Sequence, residues 1–537
     1  MATATFGHGI TTTLLQLVKA YAIIANGGYN VEPTLIKQNS NLIKKRILNK
    51  NVSNEILPIL RKIVSTKEGT ASLANVDGYQ VGGKSIMWAR QVQRWSNLDF
   101  EGPARDDFAV DWPIRYNDLE KWYSYVEKYV GVSGNKDGLE ILPDGEFLKP
   151  WDSNCVEDYF KEIVKKNYDD RHLIYSRCAH ITESKPIFIE QGRGICVSRR
   201  ICERGCPLGG YFNANSTLIP WANRTGNLSL KVNSVVHSLI YDENLKKAIG
   251  VRVIDSITNI TKEYYAKVIF LNASTLNSNL ILLNSKSKRF PNGLGNDNGL
   301  LGKYIAFHNY RATISAIHEG HQNFKPDGRK PTSSYIPRFR NIGGETNNVN
   351  FLRGYGYQGG GGRSSWSDHI AEMSYGAGFK EAIMSPGDWR IGLGGFGEIL
   401  PYEDKRMTLD YEKLDQWGLP TVTFDATIKE NEINMRKDMQ TQAAEMLENA
   451  GFKNINEYDS VYGFGLGIHE MGTARMGRDP QTSVLNKYNQ IHAVPNVYVT
   501  DGSSFTSSGN QNPSLTYMAL TARAADHAVK ELKKMNL

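Results

Sequence analysis

Residues 497–534 read almost without interruption as a strand, a turn and a helix, and this run constrains the fold more than any other part of the chain. Val497, Tyr498 and Val499 form a short apolar run suited to a buried strand, and Asp501-Gly502 supplies its turn. Asn512-Pro513 then gives a helix N-cap and a first helical residue, because asparagine can accept from the free N–H groups of a first turn and proline needs no donor there. Leu515, Met518, Ala522, Ala525, Val529 and Leu532 recur at spacings of three and four, so the helix buries one face. Lys530, Lys533 and Lys534 complement its dipole at the C-terminal end. Val268-Ile269-Phe270-Leu271-Asn272-Ala273-Ser274 reads as a second buried strand running into a turn and helix, the unit from which a doubly wound α/β sheet is made.

Chemistry enters with His469-Glu470-Met471-Gly472-Thr473-Ala474-Arg475-Met476-Gly477, which ends 24 residues before Asp501. Histidine has the unperturbed pKa nearest neutrality, so His469 beside a flexible Gly-Thr turn can take a proton from an alcohol at working pH. Asn512 can then hold the oxygen. The plainer alternative is a satisfied turn histidine and an asparagine that only caps a helix.

Together these residues resemble the C-terminal part of the glucose-methanol-choline (GMC) family of flavin-dependent alcohol oxidoreductases. The resemblance implies an α/β fold: a GMC-type, Rossmann-like FAD-binding domain plus a substrate domain with an antiparallel sheet and helices. It implies His469 as base and Asn512 as its partner, with Asp501 and Gly502 along the cofactor. The helix from Pro513 would point its free N–H groups at the flavin's pyrimidine edge. Val81-Gly82-Gly83-Lys84-Ser85-Ile86-Met87-Trp88 is similar to the family's glycine-rich loop, which assigns Gly82, Gly83, Ser85 and Trp88 to flavin binding. Met87 stands where some sugar-oxidising relatives carry a histidine bonded to the flavin, so FAD is expected to be non-covalent. Ala273 is expected beside the cofactor's adenine half. The helix bearing Leu119, Trp122, Tyr123, Val126 and Val130, closed by Gly131, is packing only.

The first eighty residues resemble something else. Gly7-His8-Gly9-Ile10-Thr11, Ala20-Tyr21-Ala22-Ile23-Ile24-Ala25-Asn26-Gly27-Gly28, Pro33-Thr34-Leu35 and Glu68-Gly69-Thr70-Ala71 are similar to the late transpeptidase domain of class B penicillin-binding proteins. That likeness stops near Lys84, where Lys84-Ser85-Ile86 replaces the Lys-Thr-Gly such proteins carry, and their upstream Ser-x-x-Lys nucleophile is missing. Residues 11–25 read as a capped helix and 31–36 as a short strand, and no strand there leads into a glycine-rich turn and helix. The FAD domain is therefore expected to be truncated at its N-terminus and FAD to bind weakly. Two formal Gly-x-Gly-x-x-Gly matches, Gly354-Tyr355-Gly356-Tyr357-Gln358-Gly359 and Gly392-Leu393-Gly394-Gly395-Phe396-Gly397, precede no long helix and read as loops.

The expected organisation is a penicillin-binding-protein-like segment over 1–80, a first flavin-binding part over 81–300, a substrate domain over 301–459 and a second flavin-binding part over 460–537. A helix is expected from about 433 to 450, ending at Gly451, and the aromatics Tyr355, Tyr357 and Trp366 suit a sugar or polyol. With 40% apolar and 22% charged residues the chain is globular, and its net charge of +7 is scattered, so no nucleic-acid site is read. The apolar run over 14–25 contains Lys19 and is too short to span a bilayer, which makes the cytoplasm the default compartment. Cys196, Cys202 and Cys206 resemble a Cys-rich stretch of the sugar-acid dehydrogenase branch and favour a structural or free-thiol role over a metal site. Three functions follow: an FAD-dependent oxidoreductase passing hydride from an alcohol or sugar to flavin, with the eventual electron acceptor open; a catalytically defective, cofactor-free fusion remnant; and a transpeptidase fragment.

Overall fold

The structure, a computed structural model, describes residues 80–86, 88–198, 202, 206–324, 334–364, 376–384, 387–459 and 468–537, with 19, 22–23, 29–30, 45–49 and 51–52. They fall into two compact units, Met1–Lys84 and Ser85–Leu537. In the smaller unit Ala22 and Ile23 are helical, and Tyr29 bridges Arg46, whose guanidinium lies 4.1 Å from the Tyr29 ring centre. Gly82 and Gly83 take left-handed φ values of +96° and +53°. The strand expected over 31–36, the other transpeptidase-like motifs and Met87 lie outside the described residues, as does Trp366.

The helices of the larger unit that position the site are α1 (Tyr116–Val130), α2 (Cys155–Asn167), α3 (Thr275–Asn284), α4 (Glu430–Asn449) and α5 (Ser514–Lys533). The strands are β1 (Ile174–Tyr175), β2 (Ser234–Asp242), β3 (Lys247–Asp255), β4 (Thr261–Tyr265), β5 (Ile269–Phe270), β6 (His308–His318), β7 (Ser334–Ile336), β8 (Tyr355–Arg363), β9 (Trp389–Glu398), β10 (Lys453–Asp459), β11 (Gln490–Ile491) and β12 (Val494–Tyr498). Six of them form one antiparallel sheet in the order β10-β6-β9-β8-β7-β1. A second antiparallel sheet runs β2-β3-β4. In the third, β11-β12-β5, the apolar run read at 497–499 pairs parallel to the run read at 268–274, with Val497 opposite Ile269. The fold is thus mixed α/β, with helices and an antiparallel sheet.

Two cores result. Helices α1 and α5 pack together, joined by Tyr123 and Thr516 hydroxyls 2.9 Å apart, around an aromatic cluster in which Trp95 meets Phe100, Trp112 and Phe505 at 5.1–5.8 Å between ring centres. Such tilted pairs add about 0.5–1.5 kcal/mol each beyond their burial. The second core lies between the six-stranded sheet and α2 with α4, where Phe160, Tyr355, Tyr357, Trp389 and Met439 are buried. Asn154 caps α2 by accepting from Val156 and Glu157 N–H, and its Nδ2 donates to Gly361 O, which ties the helix to β8. Gly131, at φ +78°, ends α1, and Gly451, at φ +75°, follows α4.

Two expectations are corrected. The glycine-rich stretches read as loops are strands β8 and β9, paired from Tyr355↔Gly397 to Arg363↔Trp389. Glycine serves close approach there rather than turning. A Cβ at Gly359 would stand 1.9 Å from Gly392 O, and Cβ atoms at Gly395 and Gly397 would meet the α4 side chains Met439 and Met435. Second, the last helix begins at Ser514: Pro513 already has helical φ and ψ, and no side chain caps the helix, so Asn512 is not its N-cap.

Candidate active site

The segment 469–477 is threaded between the sheet and the 502–504 turn. His469, Gly472 and Thr473 have φ of +66°, +86° and +78°. Met471 exchanges backbone hydrogen bonds with Ala306, and N–H groups of Gly472, Ala474 and Met476 donate to the carbonyls of Gly502, Ser503 and Ser504. Glycine is required at 472, where a Cβ would lie 2.1 Å from Tyr304 O.

The turn is fixed from below by α3. Asp501 is half-buried and accepts at Oδ2 from Ser278 Oγ (2.5 Å) and at Oδ1 from Ser503 N–H (3.0 Å). Burial pushes its carboxyl up, against the pull of these donors. Ala273 N–H donates to the same Ser278 oxygen, and Thr275 Oγ1 donates to Glu470 O. A Cβ at Gly502 would collide with Glu470 O, Thr275 Oγ1 and Tyr517 OH, so this position packs tightly against both neighbouring segments. Ala273, Asp501, Gly502 and the segment that begins at His469 therefore meet at the end of the parallel pair β5–β12.

The buried loop 505–512 leads from that turn to α5 and is held on several sides. Trp112 Nε1 donates to Ser507 Oγ, Asn510 Nδ2 to Tyr335 OH and Gln511 Nε2 to Asp99 Oδ2. Gln358 Nε2, from β8, donates to Asn512 Oδ1. His308, at the start of β6, joins the two halves: its Nε2 lies 2.7 Å from Gly509 O and its Nδ1 2.9 Å from His469 Nδ1. Full burial pushes the His308 pKa down to about 4. His308 and Gln358 are the site residues the sequence reading missed; nothing local marks either.

Ser85 and Trp88 belong to the larger unit. Ser85 Oγ accepts from Ala214 N–H and Trp88 Nε1 donates to Phe212 O, so both are pinned to the 211–214 segment. Gly82 and Gly83 belong to the smaller unit. Cys196, Cys202 and Cys206 are free thiols; Cys202 Sγ is 3.8 Å from His180 Nε2, and Cys206 Sγ accepts from Gly210 N–H.

The family profile described as GMC oxidoreductase matches residues 401–521, which include His469, the 501–504 turn and Asn512. This region belongs to the GMC oxidoreductases. Relatives of the GMC oxidoreductase part extend over most of the chain. One is 2-methyl-1,2-propanediol dehydrogenase of Mycolicibacterium austroafricanum, 28% identical over 83% of this chain and 80% of that protein. Another is the fructose dehydrogenase large subunit of Gluconobacter japonicus, 26% identical over 84% and 81%. A solved FAD-dependent oxidoreductase from Chaetomium thermophilum covers 84% of this chain and 86% of its own at 13% identity, with a TM-score of 0.47. Residues 1–86 instead match the penicillin binding protein transpeptidase domain, and Stage V sporulation protein D of Bacillus subtilis is 33% identical over 96 residues, 15% of its length. The chain joins transpeptidase-like sequence to sequence similar to GMC oxidoreductases.

Proposed function

We propose that the larger unit is an FAD-dependent oxidoreductase that oxidises the CH–OH group of a small polyhydroxylated alcohol or sugar, with His469 as base and Asn512 as its partner. The observation that carries this reading is the link from His469 through His308 to Gly509, which ties the base to the loop that delivers Asn512. The residues suit the flavin's ring end. Buried polar atoms without partners, Thr473 Oγ1, Thr506 Oγ1, Asn510 Oδ1 and Gln511 Oε1, belong to the segments that converge there, and α5 starts without a side-chain cap. FAD would be held by the 501–504 turn and the start of α5, with Ala273 toward its adenine half, and without a covalent bond. When bound, FAD supplies the hydride acceptor.

The chain's own groups do the rest. His469 takes the hydroxyl proton, a contribution of about 10²- to 10⁴-fold. Asn512 Oδ1 is occupied by Gln358, so its Nδ2 is the group turned to donate to the substrate oxygen. The names of the relatives, a diol dehydrogenase and a sugar dehydrogenase, support the substrate class.

A second reading, a cofactor-free remnant, is favoured by one observation: residues 1–86 match a transpeptidase domain and contain no Gly-x-Gly-x-x-Gly unit to take the cofactor's pyrophosphate. Titrating the purified chain with FAD and then adding diols and hexoses anaerobically separates the two. Bound flavin that bleaches with one of these alcohols supports the enzyme; a chain that takes up no FAD even in excess is the remnant.

A further inference from the structure

We propose that His308 is a positioning residue that holds His469 in the tautomer whose lone pair lies on Nε2. The inference rests on the reading of His469 as the base. Gly509 O can only accept, so His308 Nε2, 2.7 Å away, carries a hydrogen. His308 is 2% exposed, and desolvation keeps its ring neutral near pH 7, with a single N–H. Its Nδ1 therefore holds a lone pair. His469 Nδ1, 2.9 Å from that lone pair with the rings at 81°, must be the donor. A neutral His469 is left with its own lone pair on Nε2, across the ring.

The surroundings keep His308 in this role. Phe396 of β9 meets its ring edge-on at 5.9 Å between centres. Glu398, directly opposite it in the sheet, is engaged by Arg353 at 3.1 Å and Arg338 at 3.5 Å, so its charge is directed to those guanidinium groups. When an alcohol gives up its proton, the O–H bond breaks and an Nε2–H bond forms on His469. The imidazolium keeps its Nδ1–H bonded to His308, whose low basicity stops the proton from moving on. Without the acceptor, the His469 proton divides between its two nitrogens, and molecules with N–H at Nε2 cannot take the substrate's proton.

The test is the ¹⁵N spectrum of histidine-labelled full-length protein at neutral pH, the His469 signals being those lost in His469→Asn. The expected wild-type spectrum has Nδ1 protonated and Nε2 bare. His308→Asn, whose carbonyl still accepts at the Nδ1 position, keeps that pattern. His308→Leu and His308→Gln, the latter keeping only the contact to Gly509, give a mixture. Turnover in both falls about 10- to 100-fold, as for the loss of an orienting outer partner, with a shifted acid limb of the kcat profile and recovery in His308→Asn. A proton on His469 Nε2 in the wild type overturns the proposal, as does a wild-type pattern in His308→Gln. The spectrum needs no turnover, so a correct tautomer in a chain that oxidises no alcohol would count against the proposed function alone.

Discussion

His469 is a non-glycine residue on left-handed backbone, an arrangement that costs of order 1–3 kcal/mol and persists only where its surroundings enforce it. Here the Met471–Ala306 backbone pair and the bond to His308 hold it. Gln358 does for Asn512 what His308 does for His469. Replacing it by leucine leaves a buried amide oxygen unpartnered, a loss of about 1–3 kcal/mol, and kcat/KM is expected to fall about tenfold with flavin content unchanged. His308 also sets a pH dependence of stability. Its folded pKa of about 4 lies below the ordinary 6.5, so the unfolded chain binds more protons between those values and stability drops as pH falls through that window. Urea midpoints measured from pH 7 to pH 4.5 are expected to fall more steeply for the wild type than for His308→Asn. Equal slopes would show that His308 is not buried neutral.

The elements most legible in the sequence were those with a strong period. Helix α1 with its glycine stop follows from spacings of three and four, β5 and β12 from short apolar runs before a turn, and α4 was legible over most of its length. Helix α5 was legible as a helix but not in its face: of the residues read as its apolar stripe Leu515 is buried while Ala525, Val529 and Leu532 are exposed, and the buried side is Leu515, Ala519, Leu520, Ala524 and Ala528. Strands β8 and β9 were not legible, because glycine content outweighed the alternation of Trp389, Ile391 and Leu393 that marks β9 as half-buried. His308 and Gln358 were illegible for another reason. They lie 161 and 154 positions from the residues they hold, and no local pattern records a contact at that separation. The glycine strands yield their own expectation. Gly359→Val forces a side chain onto the Gly392 carbonyl and splays β8 from β9, at about 1–3 kcal/mol. Its unfolding midpoint in urea should drop accordingly, and because Gln358 is the adjacent residue, turnover should drop with it; an unchanged midpoint would mean the two strands do not approach as described.

At the scale of the whole molecule, a GMC oxidoreductase region carries transpeptidase-like sequence over residues 1–86. No helix among the described residues is long and apolar enough to cross a membrane. Helix-dipole and backbone N–H contacts to a pyrophosphate are supplied by a Gly-x-Gly-x-x-Gly turn, and the sequence of residues 1–80 contains no such motif. FAD is therefore expected to be lost on gel filtration, and replacing residues 1–80 with a family Gly-x-Gly-x-x-Gly unit is expected to raise the retained fraction; stoichiometric flavin in the existing chain, unimproved by the graft, would contradict this. The proposed role of His469 is to take the alcohol's proton. It is tested most directly by anaerobic single-turnover reduction of the FAD-loaded chain, wild type against His469→Ala at matched flavin content. Bleaching is expected to be slower by about 10²- to 10⁴-fold in the variant, with FAD affinity nearly unchanged. Equal rates in the two proteins would contradict it.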